Sequence, residues 1–157
     1  MKRAYVGIDP GLTGAIAVVS DTEAFIQDVP TYKKADGGSE YNFYEMYALL
    51  GGLSKNFQVA LSLEQQQAMP KQGVSSTFQT GKGYGAWLAL CWATTPDFQI
   101  VSPRKWKKLM GLTNDKEVSR LKAISLYPSL EDKLKRKKDH NRAEALLLAH
   151  YTKVVER

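Results

Sequence analysis

Near its N-terminus the chain reads Ala4-Tyr5-Val6-Gly7-Ile8-Asp9-Pro10-Gly11-Leu12-Thr13-Gly14. An apolar run that ends on one acid reads as a buried strand, and Pro10, Gly11 and Gly14 then force a turn. Ala15 to Ser20 is a second strand at hairpin distance. Glu23 to Val29 is a third, ended by Pro30. Thr31 to Glu40 is polar and glycine-containing, so a loop is expected there. Asn42 with Glu45 three residues on resembles a capping box, and Phe43, Met46, Tyr47, Leu50 and Leu53 follow at helical spacing. Gln58 to Glu64 is a fourth strand, with Val59, Leu61 and Leu63 on one face.

Beyond a loop from Gln65 to Gly73, a helix is expected over Val74 to Thr94. Val74, Phe78, Gly81, Gly85, Leu88 and Trp92 form one helical seam, with core packing the first reading for Leu88 and Trp92. Its glycines cost helix propensity, about 1 kcal/mol each, which suggests another backbone lying close. Phe98 to Ser102 is a fifth strand. Ser102-Pro103 suits the N-cap and first position of a short basic helix. Asn114 with Glu117 starts another helix, running to about Tyr127, and the last covers Asn141 to Val155. Short hairpins pair the first three strands. Helical crossovers make the later two parallel to the first. The expected fold is α/β: a mixed five-stranded sheet, three antiparallel strands then two parallel, flanked by helices in one domain over 1–157.

A length of 157 residues fits a single domain, and 43% hydrophobic with 24% charged residues excludes a disordered chain. The lone Cys91 excludes an internal disulfide framework, which fits a reducing compartment. No apolar run reaches the ~20 residues of a membrane span, and Met1-Lys2-Arg3 leads into a strand without a signal-peptide core. A cytoplasmic, non-secreted protein without membrane partners is expected. The net charge of +6 is concentrated: Pro103 to Lys138 holds 12 basic and four acidic residues, hence +8, leaving −2 for the rest. Such a surface attracts a polyanion, although an acidic protein or a membrane surface would ask for the same bias.

Asp9 and Glu64 each end an apolar strand, and the topology makes those strands parallel neighbours. Ligand sites in such sheets form at the C-terminal strand ends. Two carboxylates brought together repel unless a proton or cation sits between them, and Mg²⁺ suits oxygen donors. A third acidic stretch is Asp139-His140-Asn141-Arg142-Ala143-Glu144, with Glu144 at the edge of the apolar face of the last helix. For Asp139 an N-terminal cap is an equal alternative, and His140 is a poorer Mg²⁺ ligand than a carboxylate. Together Asp9, Glu64, Asp139 and Glu144 would offer four oxygen donors to two metal ions about 3.5–4 Å apart. One ion would activate a water, and the other would stabilise the leaving 3′ oxygen of a phosphodiester. No nucleophile constellation competes: Cys91 lies in an apolar helix, and the two histidines stand at 140 and 150.

These pieces resemble the RuvC-type Holliday-junction resolvases of the RNase H-like (retroviral integrase-like) nuclease superfamily. The resemblance rests on Gly7-Ile8-Asp9-Pro10-Gly11 with Thr13-Gly14, Leu63-Glu64, Gly81-Lys82-Gly83-Tyr84-Gly85, Ser102-Pro103-Arg104-Lys105-Trp106-Lys107 and Asp139-His140-Asn141-Arg142-Ala143-Glu144-Ala145-Leu146. The order is the family's, and the likeness is greatest to its compact phage, bacterial and organellar branch. It implies that Asp9, Glu64 and Glu144 are catalytic metal-binding acids. Where members carry an acid or histidine one turn before the last acid, this chain has Asn141. Asp139 is the substitute of first choice and His140 of second.

The resemblance further implies a homodimer that makes paired nicks in a four-way DNA junction, using two Mg²⁺ ions per site, with Mn²⁺ able to substitute. No nucleotide cofactor is implied, and the setting is a bacterial or phage-infected cell. Expected DNA contacts are Met69, Lys71 and Gln72 in the loop, then Ser75, Ser76, Phe78 and Lys82 on the long helix. Arg104, Lys105, Lys107 and Lys108 form a basic patch, and Lys137, Lys138 and Arg142 lie near the last acids. Phe78 would stack on an unpaired base, its plain alternative being core. The glycine seam would be the dimer contact or face DNA. Two other readings stand beside this one. Asn141 motivates a junction-binding protein with weakened chemistry. The glycine-rich start also occurs in actin-like ATPases and sugar kinases, which need far longer chains.

Overall fold

The computed structural model describes residues 1–156. In chain order the elements are β1 (Arg3–Asp9), β2 (Ala15–Val19), β3 (Ala24–Asp28), β4 (Thr31–Lys33), β5 (Ser39–Tyr41), α1 (Phe43–Asn56), β6 (Gln58–Glu64), α2 (Val74–Thr94), β7 (Gln99–Val101), α3 (Pro103–Leu109), α4 (Lys116–Leu126), α5 (Glu131–Leu134) and α6 (His140–Val155). Five strands form one sheet in the order β3-β2-β1-β6-β7. β1 pairs antiparallel with β2, as β2 does with β3, while β1–β6 and β6–β7 are parallel. This is the RNase H-like arrangement expected from the sequence.

Strand alternation divides the core in two. Ala4, Val6, Ile8, Ile16, Val18, Leu61 and Leu63 face α1 and α2, where Met46, Leu50, Trp87 and Cys91 are buried. Ala15, Ala17 and Val19 face the other way, onto α6, α4 and Trp106. By the same period-two rule, Gly7 and Asp9 on β1 share the α6 side of the sheet. Ser62 lies on that side of β6, since its hydroxyl accepts from Thr152 of α6 at 2.7 Å, and Glu64 follows it by two residues. A Cβ at Gly7 would run into the backbone of Ala145, Leu148 and Ala149. Glycine therefore lets α6 lie directly on β1, and Glu144 rides on that contact.

Several sequence expectations need correction. Thr31 to Glu40 is not a plain loop: β4 and β5 pair as a second, two-stranded sheet, turned by Gly37 at φ 89°. Of the α2 seam only Leu88 packs against the core. Phe78 is 71% exposed, Trp92 is 65% exposed, and nothing lies near Gly81 or Gly85. The buried line of α2 is Gly83, Trp87 and Cys91. The close approach occurs at Gly83, where a Cβ would strike the Tyr41 ring of β5. The turn before α4 is capped by Asp115, one residue after the expected Asn114, through bonds from the Glu117 and Val118 N–H groups. α5 and the 3-10 turns at Pro128–Leu130 and Lys137–Asp139 carry no apolar periodicity that would have revealed them. No helix among the described residues is long and apolar enough to cross a membrane.

Candidate active site

Asp9 and Glu64 end adjacent parallel strands on the α6 side, and Glu144 faces them from the first turns of α6. One carboxylate oxygen from each of the three lies within 4.8 Å of the others, and all three residues are buried. Like charges at such range in a low-dielectric setting favour a proton or a cation. Asp9 is accordingly pushed well above the usual carboxylate range, first by burial and then by the Glu64 and Glu144 charges, with Lys107 and Lys116 pulling the other way. Glu64 is raised from 4.5 to about 7, again by burial first, against the opposing Trp106 hydrogen bond. Glu144 adds repulsion at Glu64, and Lys107 opposes it.

α3 supplies two partners to this group. Ser102 caps the helix by accepting the Lys105 N–H, and Pro103 occupies its first turn. Trp106, fully buried, donates its indole N–H to Glu64 Oε2 at 2.8 Å. Lys107, the next residue, places Nζ 3.1 Å from Glu144 Oε1. The sequence had marked Lys107 only as a DNA contact and Trp106 only as the aromatic of a basic patch. It had counted Lys116 within the basic segment without placing it beside Asp9. The strand register was the signal for α3: Val101 pairs with Glu64, and α3 starts two residues later.

Asp139 is not part of the carboxylate group. It is buried, but Arg136 holds it through Nη2 at 2.8 Å, through Nε at 3.1 Å and through its backbone N–H at 3.0 Å. Arg142 Nη1 approaches at 3.5 Å. Burial works to raise its pKa, and the Arg136 bonds overcome that and hold it below the ordinary value. The cap alternative does not hold in its expected form either: Asp139 stands at the N-cap position of α6 without a side-chain capping bond and instead accepts the Arg136 N–H, closing the 3-10 turn. His140 stands outside as well, between Lys116 Nζ and the Lys137 carbonyl. The Asn141 side-chain amide donates to the Thr13 carbonyl at 2.9 Å and hydroxyl at 3.2 Å, tying α6 to the β1–β2 turn.

The expected DNA contacts divide into two sets. Arg104, Lys107, Lys108, Met69 and Gln65 line an open groove of about 1070 Å³, and of these Gln65 follows Glu64 in sequence and Lys107 pairs with Glu144. Lys105, Lys137 and Lys138 are exposed, as are Lys71, Ser75 and Ser76. Gln72 accepts the Met69 N–H and donates to Ser76 and Thr80, so it fastens the loop to α2. Phe78 is exposed, which removes its core alternative. Besides Lys107, which pairs with Glu144, two cations are already committed. Lys82 pairs with Glu40 at 2.6 Å. Arg142 grips Asp28 through Nε and Nη2 at 2.7 and 2.8 Å. Cys91 is buried in the α2 interface, and burial pushes its thiol up to about 12, so it is no nucleophile.

The donor set fits a hard divalent cation: three buried carboxylates, no sulfur and no histidine. No protein-family model and no curated protein matches the sequence. Among solved structures, the chain is similar to Thermus thermophilus RuvC in complex with Holliday junction substrate. That match has a TM-score of 0.65 at 18% identity, covering 98% of this chain and 96% of that one. A second structure of T. thermophilus RuvC gives a TM-score of 0.57 at 19% identity over 97% and 96%. The chain thus shares the fold of T. thermophilus RuvC, an RNase H-like sheet with two buried acids where its parallel strands end and a third facing them from α6.

Proposed function

We propose that the protein is a divalent-metal-dependent endodeoxyribonuclease that cuts branched DNA, four-way junctions above all. The observation that carries this reading is the group of Asp9, Glu64 and Glu144, joined through Lys107, whose Nζ is 3.1 Å from Glu144, to a groove that Lys107 lines with Arg104 and Lys108. Backbone phosphate is drawn by those cations towards acids that need a counter-charge. Asp9, Glu64 and Glu144 would hold Mg²⁺ or Mn²⁺, which supplies an activated water and neutralises charge on the scissile phosphodiester. The chain's own residues orient the acids, exclude water from their inner side and hold the phosphate. With Asp139 held by its arginines, a second ion has one charged donor fewer than the four the sequence suggested. The likeness to a RuvC–junction complex supports the substrate class.

The working unit we propose is a homodimer joined through the outer seam of α2, where Phe78 and Trp92 flank the open Gly81 and Gly85. Exposed aromatic side chains of this size beside backbone free of side chains suit close helix contact. A second reading, a junction-binding protein with weak chemistry, draws on the neutral Asn141 and the occupied Asp139. A synthetic four-way junction incubated with and without Mg²⁺ separates the readings. Paired nicks that need the metal support the nuclease. Binding without cleavage supports the second reading, and nucleotide turnover indifferent to DNA supports the actin-like one.

A further inference from the structure

The indole of Trp106 has one hydrogen-bond partner, and that partner is a site acid: Nε1 donates to Glu64 Oε2 at 2.8 Å, inside the core. A buried tryptophan in this fold does not require such a bond. Trp87 is equally buried, and its indole N–H has no partner. The position of Trp106 is set independently of Glu64. Ser102 and Pro103 start α3, and Trp106 packs among Val101, Leu146 and Leu147 in the core cluster on the α6 side. The Gln65 N–H donates to the Val101 carbonyl at 2.9 Å, so the strand pairing of Glu64 continues up to the start of α3. A rigid donor thus meets one oxygen of a side chain that otherwise has three rotatable bonds.

We infer that Trp106 is a positioning residue of the metal site: its N–H fixes the Glu64 carboxylate so that the other oxygen faces Asp9 and Glu144. This rests on the reading of those acids as metal ligands. A donor behind a ligating carboxylate sets its orientation, and loss of such a partner typically costs 10–100-fold in metal affinity or activity. Trp106→Phe keeps most of the ring and deletes the donor. All three acids remain, but Glu64 is free to turn.

The test uses the full chain and Mn²⁺ or Mg²⁺ alone. Calorimetric titration of folded Trp106→Phe with Mn²⁺ is expected to show about tenfold or weaker binding than wild type. In wild type labelled with ¹⁵N, the indole N–H signal of Trp106 is expected to move as Mg²⁺ saturates. The signals of Trp87 and Trp92 stay in place. An unchanged Mn²⁺ affinity in the variant, or a Trp106 signal that stays still while Mg²⁺ binds, overturns the inference. A residue that merely filled the core would lower the melting temperature of Trp106→Phe without moving either readout. Should that variant fail to fold, the wild-type indole signal decides alone. If wild type itself binds no metal and cuts no junction, the nuclease reading falls and takes this inference with it. If wild type does both while the variant binds equally well, only the role of Trp106 falls.

Discussion

Replacing Glu64 with Gln should make the metal-free protein more stable, and only above a definite pH. Glu64 is 6% exposed, and its carboxyl is raised from 4.5 to about 7. In the unfolded chain it loses its proton near the lower value, while the folded protein keeps it until the higher one. Between these limits the native state binds more protons than the unfolded state, so stability falls as pH rises. The interval spans about 2.5 pH units, and at 1.36 kcal/mol per unit the ionised side chain costs the native state about 3 kcal/mol above pH 7. Gln carries no charge, and its amide oxygen still accepts the Trp106 N–H. Removing the charge also relieves Asp9 of the largest repulsion acting on it from another acid. Urea denaturation in EDTA across pH 4.5–8.5 should show Glu64→Gln gaining about 3 kcal/mol at the alkaline end, roughly 6–12 °C in melting temperature. The gain should vanish towards pH 4.5. Saturating Mg²⁺ should stabilise wild type and close the gap, since a ligand bound only by the folded state shifts the equilibrium towards it. A gain of equal size at every pH, or none, would refute the claim that electrostatic frustration among buried acids governs this site.

Asp9→Asn should abolish junction cleavage and leave junction binding intact in a gel-shift assay; lost binding by a folded variant would count against a metal-holding role. Gly7→Ala should destabilise the fold by about 1–3 kcal/mol, because its methyl meets the α6 backbone, and should weaken Mn²⁺ binding by shifting Glu144. Unchanged melting and Mn²⁺ titration curves would sink that account. Asp139→Asn should lower the melting temperature, since it breaks the buried pairing to Arg136, yet keep metal-dependent cleavage. Loss of cleavage comparable to that of Asp9→Asn would place Asp139 in the metal site after all. Junction affinity should fall steeply with salt as phosphates release counterions to the groove cations, and a flat response in a binding titration would remove Arg104, Lys107 and Lys108 from the interface.

The sheet was legible because each of its strands carried its own evidence. β1 and β2 are apolar runs bounded by turn residues, and β6 alternates cleanly. Asp9 and Glu64 were legible because topology alone brings strand ends together, and Glu144 because it stands at the edge of the apolar face of the last helix. Asp139 misled because local spacing cannot tell an acid aimed at a metal from one wrapped by arginines on either side of it in sequence, Arg136 and Arg142. The α2 seam misled for a different reason. Periodicity marks an apolar face without saying what covers it, and both the seam and the Trp87 line fit a helix. The inner line is chosen by β5, whose Tyr41 takes the space at Gly83, and the pairing of β4 with β5 was hidden in a polar stretch. Trp106 and Lys107 were visible as types, but their partners lie 42 and 37 residues away (Glu64 to Trp106, Lys107 to Glu144), beyond any local pattern.

The bare meeting of main chains at Gly7 has a consequence for how this domain tolerates change. Where two backbones touch directly, the separation between a strand and the helix lying across it is fixed by covalent geometry and not by the bulk of intervening groups. Exchanging one aliphatic residue for another elsewhere in the interior then alters how firmly the molecule holds together while leaving the spacing of Asp9 and Glu144 where it was. The reactive geometry is insulated from drift in the interior, and Gly7 itself is a position that cannot drift.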